Sequence, residues 1–75
     1  TNAEIIHFQL EAFEKWFDLA QLNHLSSMII IHGVGSGKLK NEVHDLLKVK
    51  KGVKSFINQY SDFYGYGATE VFFEY

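Results

Sequence analysis

The sequence predicts a single mixed α/β domain in which helices cover a small sheet. Three observations carry that prediction. An apolar stripe at helical spacing occupies the N-terminal third. A short β-branched run, Met28-Ile29-Ile30-Ile31, then passes straight into a glycine-rich loop, and a second amphipathic stripe follows that loop at once. At 75 residues the chain holds one domain, read as residues 1–75. A domain of this size buries only roughly 60% of the surface its unfolded chain exposes, so its core is small. A composition 47% hydrophobic and 16% aromatic is too rich in core-forming side chains for a disordered segment.

Thr1-Asn2-Ala3-Glu4 has the form of a capping box, with a hydroxyl to cap the first turn and a Glu placed to reach back. Ile6, Leu10, Phe13, Phe17 and Ala20 then recur at spacings of four and three. A second stripe through Ile5, Ala12, Trp16 and Leu19 is expected to widen the buried face. The first helix is therefore placed from about Ala3 to Leu22. Met28–Ile31, uniformly apolar and bounded by turn residues, reads as a strand covered on both faces. After the loop His32–Gly37 a second helix begins near Lys38, turns Leu39, Val43, Leu46 and Leu47 inward, and ends by Gly52. Val53–Ile57 reads as a strand, Asn58–Gly67 as a loop, and Ala68–Tyr75 as the last strand, with Phe73 and Phe72 on opposite faces. The order is thus αβαββ. A helix in crossover position before Met28 implies a further strand upstream of Thr1, parallel to Met28–Ile31, which would complete a right-handed βαβ unit. With no initiating Met, the chain reads as part of a longer protein.

Several function classes fall away on composition. Without cysteine there is neither a disulfide framework nor a thiolate zinc site, which suits a reducing compartment and a cytoplasmic location. No apolar run approaches the ~20 residues that cross a bilayer, so no membrane partner is expected. His7, His24 and His44 show no metal-ligand spacing and read as surface or boundary histidines, and no cofactor is evident. Net charge is −2, yet six of the seven basic residues, Lys38, Lys40, Lys48, Lys50, Lys51 and Lys54, follow the glycine loop within one helix and its exit. Such asymmetry marks either a solvated helix face or a surface turned toward a polyanion. There is no Arg, so bidentate phosphate forks are not available.

The loop His32-Gly33-Val34-Gly35-Ser36-Gly37 is where chemistry concentrates. Its glycines permit positive φ and close approach of a ligand to the backbone. The helix start behind it offers free N–H groups and the positive end of the helix dipole, which together suit an anion. Lys38 and Lys40 add charge, and Ser36 adds a hydroxyl. The competing reading is a tight strand-to-helix turn without a ligand. A mononucleotide loop is excluded twice: only three residues separate Gly33 from Gly37, and Leu39 stands where a magnesium-binding hydroxyl belongs. The dinucleotide fingerprint fails as well, because its third glycine arrives one residue early.

The pattern resembles the Smr (small MutS-related) domain, whose signature is an apolar strand, then His-Gly-x-Gly-x-Gly, then a leucine at the helix start. Here that is Ile29–Ile31, His32–Gly37 and Lys38-Leu39. The late Gly-x-Gly-x-Thr-x-Val element of that family is matched by Gly65-Tyr66-Gly67-Ala68-Thr69-Glu70-Val71, and Val53-Lys54-Ser55-Phe56 resembles its third strand. The wording Tyr64-Gly65-Tyr66-Gly67-Ala68-Thr69 is most similar to the Smr domain that ends a group of Bacteroidetes proteins of unknown function. The resemblance implies a two-layer sandwich like the C-terminal domain of translation initiation factor three. It also implies DNA or RNA as partner, often with nicking endonuclease activity. It carries to His32, Gly33, Gly35 and Gly37. A Leu-Asp-x-His element on the family's first strand has no counterpart in this sequence.

On these grounds the nucleic-acid-binding residues are expected to be His32, Gly33, Gly35, Ser36, Gly37, Lys38 and Lys40, with Lys48, Lys50 and Lys51 as outlying phosphate contacts. His32 is the candidate catalytic residue, as general acid or phosphate donor, with packing beneath the loop on a backbone carbonyl as the structural alternative. Phe63, Tyr64 and Tyr66 either stack on unpaired bases or close the core. The alternative function is a protein-interaction or structural domain whose glycine loop is only a turn.

Overall fold

The computed structural model describes residues 1–75. It contains α1 (Asn2–Leu22), β1 (Ser27–Ile31), α2 (Lys38–Val49), β2 (Val53–Ile57) and β3 (Ala68–Phe73). The predicted order and nearly every boundary hold; the last strand stops at Phe73 rather than running to Tyr75. The Tyr75 hydroxyl instead donates to the carbonyl of Leu25 at 2.8 Å, tying the C-terminal end to the α1–β1 connection. At the start of α1 the capping box forms as expected, with Glu4 N–H donating to Thr1 Oγ1 at 3.2 Å.

The strands form one antiparallel sheet in the order β1-β3-β2, with the last strand in the middle. Ile30 faces Thr69 and Met28 faces Val71 across the first pair, while Phe56 faces Val71 across the second. Alternation along β3 turns Thr69, Val71 and Phe73 to the buried side. Phe13, Phe17 and Ala20 of α1 and Val43 and Leu47 of α2 pack onto that side with Ile30, Val71 and Phe73. Phe17 meets Phe73 edge to face, with ring centroids 5.4 Å apart. Lys50, at the end of α2, lies over the Phe17 ring at 4.8 Å and pairs with Glu14 of α1 at 2.5 Å, which clamps the two helices together.

Two expectations are corrected. β1 is not covered on both faces: Ile29 and Ile31 are 60% and 58% exposed. Both helices lie on one side of the sheet, so only the inward Ile30 of this run is buried. The second stripe of α1 is not buried either; Ile5, Ala12, Trp16 and Leu19 are all exposed, Trp16 by 60%. Ala12, Trp16 and Leu19 overhang the outer edge of β1, where no further strand lies. A groove of about 250 Å³ runs there, lined by Ala12, Trp16, Met28, Ile29, Ile31 and Leu39 among others.

Candidate nucleic-acid interface

The fold brings the two glycine-containing segments of the sequence together at one end of the sheet. β1 ends at Ile31, opposite Ala68, so the chain leaving β1 and the chain entering β3 lie side by side. The carbonyl of Gly67 accepts from the N–H groups of both His32 and Gly33 at 2.9 Å. A Cβ on Gly67 would stand 2.8 Å from the Tyr64 carbonyl oxygen and 3.2 Å from Gly33 Cα, so this crossing admits only glycine.

Beyond the crossing the loop opens outward. Gly33, Gly35 and Gly37 all have positive φ, and nothing lies within 4 Å of where their Cβ atoms would be. Glycine is required there by backbone conformation, and the space above the loop is free. Gly37 caps α2 in the left-handed region at φ 82°, and its N–H closes a turn onto the Val34 carbonyl at 3.0 Å. The Lys38 N–H makes a long 3.4 Å contact to Ser36 Oγ. The N–H groups of Val34, Gly35, Ser36, Leu39 and Lys40 have no acceptor within the chain. They stand at the positive end of α2, with Lys38 and Lys40 beside them and neither lysine in an ion pair. A recess of about 150 Å³ lies over this segment, bounded on its far side by Ile6 and Gln9 of α1.

His32 sits inside this arrangement rather than on top of it. Its Nδ1 meets the Gly33 carbonyl oxygen at 2.8 Å and its Nε2 meets Thr69 Oγ1 at 2.8 Å. Both ring nitrogens are thus engaged within the fold. The other side of the same hydroxyl meets His44 Nε2 at 2.8 Å, and Thr69 itself is 0% exposed. The two imidazoles are near perpendicular, 6.1 Å apart, and His44 also packs on Phe56. Burial holds His44 below the ordinary histidine pKa, helped by the nearby His32, Lys40 and Lys48 and opposed by Asp45.

Placed against the sequence reading, the structure brings His32, Gly33, Gly35, Ser36, Gly37, Lys38 and Lys40 to one surface. Lys50 is not part of it, being committed to Glu14, and Lys48 leans toward Asp45 at 3.7 Å. His44, read from sequence as a boundary histidine without partners, belongs to the site through Thr69, and that expectation is corrected. The signal that would have found it is parity. Phe73 inward puts Thr69 inward four residues earlier, and a buried hydroxyl must find partners. Phe63, Tyr64 and Tyr66 do not close the core; Phe63 is 92% exposed. No group of three or more His, Cys, Asp or Glu side chains is arranged to hold a metal ion.

An antiparallel sheet with helices on one face, and a glycine loop between an edge strand and a helix, defines a small two-layer α/β domain with its candidate site at that loop. The chain belongs to the Smr domain family, whose model matches residues 6–74. It is 35% identical over 65 residues to the endonuclease MutS2 of Streptococcus gordonii, a match covering 87% of this chain and 8% of that protein. The MutS2 endonucleases of Aquifex aeolicus and Bacillus cytotoxicus match at 39% over 62 residues and 51% over 43 residues, covering 83% and 57% of this chain. In those two the match covers 8% and 6% of the relative's own length. Among solved structures, the Smr domain of Thermus thermophilus MutS2 superposes with a TM-score of 0.81 at 25% identity, covering 93% of this chain and 88% of that one.

Proposed function

We propose that this domain binds nucleic acid by receiving a backbone phosphate at the His32–Gly37 loop and the first turn of α2. One observation carries the reading: the N–H groups of Val34, Gly35, Ser36, Leu39 and Lys40 lack acceptors and share one open surface with two unpaired lysines. An anion with several acceptor oxygens satisfies such a set, and a neutral side chain does not. Kinship with proteins named as MutS2 endonucleases supports the same ligand class and a working place in the cytoplasm, where nucleic acid is accessible. Phosphate contacts carry no base information, so the reading extends to DNA and RNA alike.

Nicking is the finer activity, and His32 is its candidate in this chain. With both ring nitrogens bonded internally, His32 reaches a phosphodiester only by releasing Thr69 or the Gly33 carbonyl. Its present geometry suits a strut beneath the loop, which supports the binding reading of the loop more directly than a cleavage role for this imidazole. The test is an amide-resolved NMR titration with short DNA and RNA duplexes and single strands at two salt concentrations. Shifts centred on Gly33–Lys40 that weaken with salt are expected. A silent loop beside responsive amides elsewhere would move the interface, and no response at all would favour the protein-interaction reading. His32→Ala in a chain extended upstream then asks whether any nicking depends on this imidazole.

A further inference from the structure

We propose that His44 is a positioning residue for His32. It acts through the buried hydroxyl of Thr69, as the first member of a one-directional hydrogen-bond chain that runs to the Gly33 carbonyl and makes the two histidines share a single proton. The functional consequence rests on the phosphate reading of the loop; the chain itself does not.

The direction follows from counting donors and acceptors. A carbonyl oxygen only accepts, so the 2.8 Å contact at Gly33 requires a proton on His32 Nδ1. In the neutral ring that leaves Nε2 as a bare lone pair, and its 2.8 Å partner, the Thr69 hydroxyl, must donate to it. A hydroxyl has one hydrogen, now committed. The remaining contact, His44 Nε2 to Thr69 Oγ1 at 2.8 Å, is satisfied only if His44 donates. His44 is therefore the Nε2–H tautomer and His32 the Nδ1–H tautomer, and each assignment forces the next. Thr69 is wholly shielded from solvent, so no water replaces a lost partner.

Protonation of His32 reverses the chain. Its Nε2–H then donates to Thr69 Oγ1, the hydroxyl hydrogen turns to His44 Nε2, and His44 must carry its own proton on Nδ1. A second proton on His44 would leave the threonine hydrogen without an acceptor and set two cations 6.1 Å apart. The other groups around His44 act in the same sense. Lys40 and Lys48 face it from α2, Phe56 of β2 covers it, and only Asp45 opposes. The pair thus accommodates one added proton, beside the loop amides, where it adds positive charge to the surface proposed to meet a phosphate. In the neutral pair His44 keeps the Thr69 hydroxyl turned toward His32 and so fixes the ring that braces Gly33.

The test is a long-range proton–nitrogen correlation spectrum of the histidine rings of the intact chain, recorded above pH ~7.5 and followed down in pH. The expected result is His32 protonated on Nδ1, His44 on Nε2, and a protonation step that moves the nitrogens of both rings together. His44→Gln retains an N–H donor and should preserve the His32 tautomer and bind nucleic acid within about twofold of the parent. His44→Leu removes the donor, frees the hydroxyl to turn, and should mix the His32 tautomers while weakening binding about threefold to tenfold. Should His44→Leu fail to fold, the parent tautomers and the His44→Gln titration decide the matter. A parent His44 protonated on Nδ1, or a His44→Leu variant whose His32 tautomer and titration are unchanged, overturns the proposal. If the tautomers are as assigned and no nucleic acid binds, the phosphate reading fails and the hydrogen-bond chain stands.

Discussion

At Gly67 a single missing Cβ lets two loops cross. Its carbonyl takes the His32 and Gly33 amides while its Cα passes close to Gly33 and the Tyr64 carbonyl, both backbone neighbours that cannot swing aside. Gly67→Ala should therefore destabilise the fold by about 1–3 kcal/mol, read as a lower urea midpoint with unchanged slope. Gly37→Ala meets open space and bears only the left-handed backbone cost of roughly 1–2 kcal/mol. Gly67 should be the more costly of the two, because the atoms its Cβ would meet belong to backbone that must shift to admit it. His44 gives a prediction of opposite kind, in pH. Its folded pKa is depressed, so between that value and about 6.5 the unfolded chain binds the extra proton. Stability should be fully present above pH ~6.5 and fall as pH drops toward the folded pKa. Thermal melts of the parent should show this loss, and His44→Gln, which cannot titrate, should flatten it.

Among the elements, α2 and β3 were the most legible in sequence, because each must satisfy one periodicity against one partner. Val43 and Leu47 on α2 and Val71 and Phe73 on β3 are buried where their spacing puts them. Leu47→Ala should thus cost about 2–5 kcal/mol, enough to unfold much of so small a domain, and circular dichroism in urea will show it. β1 and the second stripe of α1 were misread for a common reason. Hydrophobicity reports that a side chain suits burial and not whether anything is present to bury it. Ile29, Ile31 and Trp16 are apolar toward the groove and the open sheet face, which this chain leaves uncovered. A strand of the kind expected from the crossover position of α1 would pack along that groove. A chain extended through such a strand should gain stability and shift the emission of Trp16, the only tryptophan, to the blue. Unchanged emission would place the added segment elsewhere. The site shows the same division. The glycine loop was readable because backbone geometry dictates residue type, whereas the link between His32 and His44 runs through a threonine 25 residues beyond His44 and exists only once β3 lies beside β1.

For the whole molecule, a net charge of −2 sets a limit on how the nucleic acid of the proposed reading would be held. The lysines after the loop are not equivalent. Lys50 is 18% exposed, held by Glu14 and laid over Phe17, so it is a clamp between helices; Lys48 shares its charge with Asp45. Lys38 and Lys40 remain as the free charges beside the loop amides. Two such contacts to duplex DNA predict a slope of roughly −2 in log affinity against log salt, or about tenfold weaker binding from ~50 to ~200 mM. Reversing both, as Lys38→Glu with Lys40→Glu, should abolish most of the affinity and its salt dependence. Lys50→Met should lower stability and leave the salt slope where it was. Fluorescence anisotropy of a labelled duplex across that salt range separates the cases. A slope far steeper than −2 would mean that Lys51 and Lys54 also meet phosphates and that the strand continues past α2 toward β2, whereas a flat dependence would leave the loop amides alone to hold the anion.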